Sequence, residues 1–423
     1  MKPLHRIWTY FFPNPSFYGW AVVGVCFWCS LLSSPGQSFV ISLYIEHAMA
    51  AAGLSRLEIS SLYAAMTLSA AACLPMMGRL ADRWPSRRFL GVVVVLLGAS
   101  CALFASVQNA VMLGAAFFLL RLLGQGSIGL GTLTVTVQWF RRYRGRALAV
   151  VGQGYAAGEM VFPAIVFALM TLLGWRGSLW LFAGLYILMF APLVAFLLRE
   201  RRLDEWSDGV KASIDQPIAE VYEAEERAFS LAEAMRMPAF WVMVACVSVF
   251  PMAVTALIFH QVAIFESMQW GAARIPLSFA TFAGAALLMT YVSGMVLERV
   301  SSRFAISLAM VFMVLAMAST FVALPALAAS LAYGSLLGVA SGMTASANNM
   351  LWPEYYGIAA LGAIKGVVTA VRNGATALGP PLVALLAGEA ERFGTAFVVL
   401  GSICALTAIV ALLIKPPAAP AQA

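Results

Sequence analysis

The sequence has little charge. Only 11% of its 423 residues are charged, whereas 62% are hydrophobic, and the mean hydropathy is +0.88. Because soluble domains carry about 25% charged residues, this composition excludes an ordinary soluble protein. A net charge of +7 would suggest nucleic-acid binding in a soluble chain, but here the basic residues lie in short segments between apolar runs. That distribution is typical of membrane proteins, so we predict a lipid bilayer as partner and no nucleic acid.

Motifs for enzyme chemistry are also missing. We find no nucleophile beside a general base, no paired carboxylates and no metal-ligating cluster. The six cysteines all lie inside apolar runs, and the Cys26-x-x-Cys29 pair has no second pair to complete a metal site. The sequence therefore predicts a chain that is not an enzyme, needs no cofactor or metal, and uses its cysteines for packing.

What the sequence has instead is long apolar runs. Helices satisfy their own backbone hydrogen bonds in lipid, and about 20 apolar residues suffice to cross the hydrocarbon core. We predict an all-α membrane protein with twelve transmembrane helices. We number these spans 1 to 12 in chain order: 18–45, 57–77, 89–108, 110–137, 147–171, 177–198, 238–265, 274–296, 304–323, 327–350, 361–387 and 393–414.

One polar segment interrupts this pattern. Residues 199–237 hold ten of the nineteen acidic residues and six of the twenty-six basic ones. We interpret the segment as a cytoplasmic linker between a six-helix bundle at 1–198 and a second one at 238–423. No soluble domain is appended, which argues against a receptor, and the first residues lack the apolar core and cleavage site of a signal peptide.

Basic residues are distributed unequally between the two ends of the spans. If both termini face the cytoplasm, nineteen Lys and Arg residues lie on that side and four on the outer side. Such a bias sets the orientation of membrane proteins. We predict a multi-pass monomer of the cytoplasmic (inner) membrane with both termini in the cytoplasm. The three remaining basic residues, Arg121, Lys365 and Arg372, lie within spans.

The two halves share loop motifs. GRLADRWPSRR (78–88) and GMVLERVSSR (294–303) follow the second span of their half, and WFRRYRG (139–145) and WPEYYG (352–357) follow the fourth. The first pair aligns four positions: Gly78 with Gly294, Asp82 with Glu298, Arg83 with Arg299 and Arg87 with Arg303. Matching loops in two six-span halves predict two pseudo-symmetric bundles related by an axis along the membrane normal.

These motifs resemble those of the major facilitator superfamily. Its pattern G-x-L-a-D-R-x-G-R-R between spans 2 and 3 is matched at six positions: Gly78, Leu80, Asp82, Arg83, Arg87 and Arg88. Its R-x-x-x-G-x-G pattern in span 4 is met loosely by Arg121, Gly124 and Gly126. Its glycine-rich span 5 resembles GQGYAAGEMVFP (152–163). The resemblance implies the major facilitator fold and transport by alternating access.

The resemblance also implies a gating function for the charged loops. Carboxylates there accept charge-assisted hydrogen bonds from arginines and helix N-termini, and in the family such contacts brace one state of the transporter. The residues implied are Asp82, Arg83, Arg87, Glu298, Arg299 and Arg303. The alternative is a solvated basic turn that only obeys the orientation rule.

Three segments resemble the monocarboxylate and oxalate/formate branch of the family: FYGWAVV in span 1, MRMPAFWVM before span 7, and WFRRYRGRALAVVGQGYAAG. The branch often carries an arginine in span 8. Here the corresponding segment LLMTYVSG has no charged residue, so a substrate-binding charge has to come from elsewhere.

Arg372 is the strongest candidate for that charge. It lies roughly 15 Å into span 11 at about 1.5 Å per residue, and a charge at that depth is costly enough to suggest a function. Its planar guanidinium suits bidentate binding of a carboxylate, although a structural ion pair is the alternative. Lys365 lies on the same face, where it either extends the positive path or reaches the headgroups. We also expect Gly379-Pro380-Pro381 to bend or break this span.

Polar residues on one face of several spans indicate a water-filled path. Gln37 lies beside Pro35 and Gly36, which interrupt span 1 and can expose backbone carbonyls to a cavity. We predict substrate contacts from Gln37, from Asn348 and Asn349 in span 10, and from Thr369 in span 11. The alternative is packing between helices, where small polar residues are common.

Glu159 is the one acidic residue that we place at mid-membrane, and Arg121 lies at a similar depth in span 4. Because spans 4 and 5 are consecutive and antiparallel, the two side chains could form a permanent bridge. The sharper hypothesis is proton coupling, in which the carboxyl group gains and loses a proton as its access to water alternates.

His260 and Gln261 lie in the outer third of span 7. Histidine titrates near neutral pH and can carry a proton or bind a substrate, whereas an interfacial position would give it no such function. Taken together, the sequence predicts proton-coupled symport of a small mono- or dicarboxylate. The alternative is a proton-driven exporter of drugs or metabolites.

Overall fold

The protein is described by a computed structural model that covers residues 18–140, 144–199, 229–297, 300–357, 360–388 and 392–414. These residues form helices and no strands. Ten helical segments are long and apolar enough to cross a membrane. One of them, 146–197, has 52 residues and is interrupted by a kink at Gly174, so its two parts are each long enough for one span. With Leu361–Ala387 the count is twelve, which confirms the predicted fold class.

The first half contains spans 1 to 6, and four of these are irregular. Span 1 is broken at residues 33–37, span 4 contains a π-helical turn, and spans 5 and 6 form one helix interrupted at Gly174. The segments are Gly19–Leu32 and Ser38–Ala52 (span 1), Arg56–Arg83 (span 2), Ser86–Ala105 (span 3), Ala110–Leu120, Arg121–Ser127 and Ile128–Trp139 (span 4), and Arg144–Leu185, Tyr186–Phe190 and Ala191–Leu197 (spans 5 and 6).

The second half contains spans 7 to 12. A short helix, Leu231–Arg236, precedes them, and span 7 is interrupted at His260. The segments are Pro238–Phe259 and Gln261–Ser267 (span 7), Ile275–Leu297 (span 8), Ser302–Ala318 (span 9), Ala326–Tyr356 (span 10), Leu361–Ala387 (span 11) and Phe393–Leu413 (span 12).

By contacts between residues the chain divides into two compact units. Unit 1 comprises 1–54 and 65–216, and unit 2 comprises 55–64 and 217–423. The first residues of span 2 therefore belong to unit 2. The boundary proposed at 199–237 lies mostly outside the described residues, so the predicted linker stays a prediction.

Two capping boxes start helices of unit 2. Glu58 Oε2 accepts hydrogen bonds from the Ser55 amide and hydroxyl, both at 2.8 Å. Glu233 does the same with Ser230, at 2.8 Å and 2.7 Å, and these two bonds lower the pKa of the Glu233 carboxyl group. Because each serine also accepts from the amide of its glutamate, two N–H groups at each helix start are satisfied.

Spans 8 and 10 pack backbone to backbone. Gly334, Gly338 and Gly342 recur every four residues on one face of span 10. A Cβ atom on Gly338 would lie 2.2 Å from the Phe282 carbonyl oxygen, and one on Gly342 would lie 2.3 Å from that of Ala286. Small residues at this spacing let membrane helices approach closely, which explains why span 10 makes its most extensive contacts with span 8.

This packing gives a stability prediction. We expect Gly338→Ala to destabilise the folded protein by roughly 1–3 kcal/mol, because the added methyl group meets a backbone atom that cannot move aside alone. Gly284→Ala in span 8 is the matched control, since its Cβ meets nothing within 4 Å. Thermal unfolding in detergent should show a lower melting temperature for Gly338→Ala and an unchanged one for Gly284→Ala. Equal melting temperatures for both variants would contradict the close approach.

One local prediction is corrected in part. The helix Leu361–Ala387 continues through Pro380 and Pro381, so of the bend or break expected there the break is wrong. Membrane helices tolerate proline because neighbouring helices satisfy the freed backbone groups. Spans 5 and 6 are joined at a kink at Gly174, whose φ of 70° is non-helical. Glycine adopts this left-handed φ at no steric cost.

All six cysteines lie in described spans and none forms a disulfide. Five of them, Cys26, Cys29, Cys101, Cys246 and Cys404, are buried. Cys73 in span 2 is partly exposed. Their positions fit the packing function expected from the sequence.

Candidate functional site

The break in span 1 forms the centre of the candidate site in unit 1. The Ser33 hydroxyl donates to the Ser30 carbonyl at 2.6 Å, and the Ser34 hydroxyl donates to the Leu31 carbonyl at 2.5 Å. Gln37 is half-buried at the start of the second helix and donates from Nε2 to Ser33 Oγ at 3.2 Å. Pro35 supplies no amide hydrogen, so side-chain hydroxyls take part in satisfying the backbone here. The interruption predicted from Pro35 and Gly36 is confirmed.

Span 4 approaches this break very closely. A Cβ atom on Gly36 would lie 2.2 Å from the Leu120 carbonyl oxygen, and one on Gly124 would lie 2.7 Å from the Gly36 Cα atom. The contact coincides with the π-helical turn Arg121–Ser127. Single π-turns inside α-helices frequently mark functional sites, and here the turn faces the irregular segment of span 1.

Arg121 joins the two irregular segments. Its Nη1 donates to the Gly36 carbonyl at 3.2 Å and to Ser38 Oγ at 3.3 Å, and the side chain is buried. The carbonyl of Gly36 is accessible to a side chain because the helix is interrupted at this point. Arg121 thus holds the broken span in place, a task that its sequence position did not reveal.

Glu159 follows Gly158, which lies against the break. A Cβ on Gly158 would be 2.5 Å from Ser34 Oγ. Glu159 itself is half-buried and makes no hydrogen bond or ion pair with any residue that the structure describes. The bridge to Arg121 that the sequence allowed is therefore absent. The physical reason is that Arg121 finds backbone and hydroxyl oxygens in span 1.

Arg372 is the central charge of unit 2. It is half-buried in the middle of span 11, and its Nε atom is buried without a hydrogen-bond partner. Within the described part of the chain its guanidinium group forms no ion pair. One turn further along the helix, the Thr376 hydroxyl donates a hydrogen bond to the Arg372 carbonyl at 2.8 Å. The guanidinium thus lacks a protein counter-charge among these residues.

Three further predicted residues lie on spans 10 and 11. Asn348 accepts a hydrogen bond from Trp352 Nε1 at 3.2 Å. Asn349 is exposed and lies 3.5 Å from the Lys365 ammonium, so span 10 and span 11 are joined at this end. Thr369 is exposed one turn from Arg372. The structure thus brings Asn349 and Lys365 together, a pairing that the sequence analysis did not foresee.

His260 and Gln261 are buried at the interruption of span 7, with exposures of 1% and 4%. His260 Nε2 lies 2.9 Å from the Pro380 carbonyl oxygen, so it donates to span 11. Its Nδ1 atom is buried without a hydrogen-bond partner. The His260 ring is thus buried inside unit 2, and its function stays a prediction.

Arg56 is a residue that the sequence analysis missed. It was counted among outer loop residues, but it is the first residue of span 2 and is 8% exposed. It belongs to unit 2. The Ser55-x-x-Glu58 capping box was the signal in the sequence, because it starts the helix at Arg56.

The gating residues are described only in part. Arg83 and Arg87 are exposed at the end of span 2 and the start of span 3. Arg303 donates from Nη1 to the Ile414 carbonyl at 3.2 Å, which ties span 9 to the end of span 12. The side chain of Asp82 and the whole of Glu298 and Arg299 lie outside the described residues, so the latch stays a prediction.

The site offers no built metal centre. No group of three or more His, Cys, Asp or Glu side chains suited to a metal ion occurs in the ranges that the structure covers. The polar groups that converge in each unit are arginines, amides, hydroxyls and one carboxyl group. Such groups can bind a small polar or charged molecule.

The fold is similar to that of solved transporters. Two crystal structures of a bacterial homologue of the human lysosomal transporter Spinster match at 14% sequence identity. The inward-facing occupied form gives a TM-score of 0.71 and the match covers 97% of this chain and 99% of that one. The inward-facing unoccupied form gives a TM-score of 0.72, and the match covers 96% of this chain and 100% of that one. At this identity the likeness concerns the fold alone.

Sequence comparison gives the family. No curated protein matches the chain significantly. The sequence profile of the Major Facilitator Superfamily matches residues 26–380, which include both candidate sites. The chain therefore belongs to the Major Facilitator Superfamily and is a transporter rather than an enzyme.

Proposed function

We propose that this transporter carries a small organic anion, a mono- or dicarboxylate, together with a proton. Arg372 binds the carboxylate, and Glu159 takes up and releases the proton. Gln37, His260, Gln261, Asn348, Asn349 and Thr369 line the substrate path. The proposal rests on one observation above all, which is the absence of a protein counter-charge for Arg372 among the described residues.

The surroundings of Arg372 support an anionic substrate. A buried arginine normally needs a partner, because leaving its charge uncompensated is expensive in the membrane. The described chain supplies no carboxylate partner for Arg372. A substrate carboxylate can take that place by accepting two parallel N–H···O bonds from the guanidinium group. Lys365 lies two turns away on the same span and adds positive charge.

The surroundings of Glu159 support proton coupling. A carboxyl group without an arginine partner is not fixed in its ionised form by a salt bridge. It can therefore exchange a proton with water when the path to it opens. Its neighbour Gly158 lies against the break of span 1, and broken helices occur at binding sites in transporters.

The mode of operation and the cellular setting follow from the family and the sequence. Alternating access is consistent with the inward-facing occupied and unoccupied forms of the Spinster homologue. The segments FYGWAVV and MRMPAFWVM favour the monocarboxylate and oxalate/formate branch. The excess of basic residues at one end of the spans favours an orientation with both termini in the cytoplasm, and we propose an inner-membrane monomer.

The test is uptake by the purified full-length chain in liposomes. Labelled formate, oxalate, lactate, pyruvate and succinate are offered with and without a proton gradient, beside lipophilic cations. We expect at least one carboxylate to accumulate only with the gradient, and a protonophore to abolish this accumulation.

Carriage of cations alone would contradict the proposal and favour the exporter. A cation exporter would require acidic residues in its path rather than a central arginine. Carboxylate uptake at the same rate with and without the proton gradient would support an anionic substrate but contradict proton coupling.

A further inference from the structure

Two grooves run along opposite flanks of span 3 in unit 1. The first lies against span 6 and has a volume of about 500 Å³. The second lies between spans 2 and 4 and has a volume of about 340 Å³. Val92 and Leu96 line both grooves and separate them. Span 3 is thus a ridge between two elongated depressions on the surface of the bundle.

The mouth of the first groove is basic. Arg87 and Arg88 line it at the start of span 3, and both side chains are exposed. Among the residues whose side chains the structure describes, no acidic one lines either groove. Trp84, which is 37% exposed, lines the second groove at the same end. Tryptophan and arginine are the residue types that favour the level of the lipid headgroups.

The remaining walls are apolar and shaped by small residues. Gly91, Ala191 and Ala195 leave the first groove open, and a Cβ on Gly91 would reach ordinary contact with Ala195 at 3.9 Å. Val92 and Leu96 are 39% and 46% exposed toward the groove side of span 3. Apolar surface of this kind is covered by hydrocarbon when the protein is in a bilayer.

The length of the first groove matches one leaflet. Leu96 lies eight residues beyond Arg88, which corresponds to roughly 12 Å along the helix. One leaflet contributes roughly 15 Å of the hydrocarbon core. A molecule with a negative headgroup at the arginines therefore has room for its hydrocarbon chain against Gly91, Val95 and Leu96.

We propose that the two grooves form a binding site for one anionic phospholipid. Its phosphate binds Arg87 and Arg88, and its two acyl chains occupy the grooves on either side of the ridge formed by Val92 and Leu96. Charge complementarity selects this occupant, since basic pockets between membrane helices bind anionic headgroups, and the apolar walls accept the chains. None of the proposed substrate-binding residues lines either groove.

The test is native mass spectrometry of the full-length chain with phosphatidylglycerol and phosphatidylcholine. We expect a preference for phosphatidylglycerol of roughly tenfold or more. Arg87→Gln with Arg88→Gln should remove the preference. Arg79→Gln with Arg236→Gln is the matched control, because it removes the same charge from exposed arginines outside both grooves. A control that loses the preference equally would overturn the site.

A second variant tests the groove rather than the charge. Gly91→Leu fills the first groove while both arginines remain, and we expect weaker binding of phosphatidylglycerol. Gel filtration and thermal unfolding check that each variant is folded. The proposal would be overturned if the native chain bound both lipids equally or if Gly91→Leu left binding unchanged. It would also be overturned if two chains paired through this face.

Discussion

Replacing Arg372 with alanine is expected to lower carboxylate uptake by roughly 30-fold or more, because a charged hydrogen-bond partner of the substrate is lost. Arg372 is the half-buried charge of span 11 whose Nε atom has no partner. The initial rate of labelled uptake in liposomes is the measurement. A substrate-induced rise in melting temperature gives an independent measure of binding, and it should disappear as well.

Two further variants separate charge from geometry. Arg372→Lys keeps the positive charge but loses the planar pair of donors, so uptake should be partly retained. Arg392→Ala removes an exposed arginine of the same unit and should leave uptake unchanged. If Arg372→Ala transports at the rate of the native chain, Arg372 does not bind the substrate.

A purely structural function for Arg372 would give a different result. An arginine that braces the fold through an ion pair destabilises the protein when it is removed. Within the described residues no such pair exists, so Arg372→Ala should remain folded and melt near the native temperature without substrate. A large drop in melting temperature would favour the structural function.

Glu159→Gln is expected to abolish accumulation of substrate driven by a proton gradient while exchange of labelled for unlabelled substrate continues. Glutamine has nearly the same shape as glutamic acid but carries no exchangeable acidic proton, so binding survives and coupling is lost. Uptake with a gradient and counterflow without one are measured on the same liposomes.

Glu46→Gln is the matched control for this experiment. Glu46 is also a half-buried glutamate of unit 1, in the second helix of span 1. It should retain gradient-driven accumulation. Accumulation that persists in Glu159→Gln would show that Glu159 does not carry the coupled proton, and loss of counterflow would indicate damage to the substrate path.

The spans and their irregularities follow from the sequence to different extents. Long apolar runs are a property of single segments, so composition alone predicts twelve helices. Pro35 and Gly36 break span 1 as predicted, but Pro380 and Pro381 do not break span 11. The difference arises from tertiary surroundings, because neighbouring helices decide whether the freed backbone groups find partners.

Partners of the charged residues could not be predicted from sequence. Arg121 lies inside span 4 as predicted, yet its observed acceptors in span 1 include a backbone carbonyl exposed by the break. Every residue has a backbone carbonyl, so the sequence does not show which of them will accept a hydrogen bond from Arg121. Sequence patterns therefore favour a carboxylate such as Glu159 as its partner. Arg56 was assigned to a loop for a related reason, since residue type does not reveal burial.

The burial of the cysteines has a practical consequence for spectroscopy. A maleimide or nitroxide reagent added to the folded protein finds one partly accessible thiol, that of Cys73. The single substitution Cys73→Ser should therefore yield a background with little reactivity, in which the five buried thiols still fill their packing positions. Pairs of labels introduced on the two units would then report distance changes during the transport cycle without rebuilding the interior.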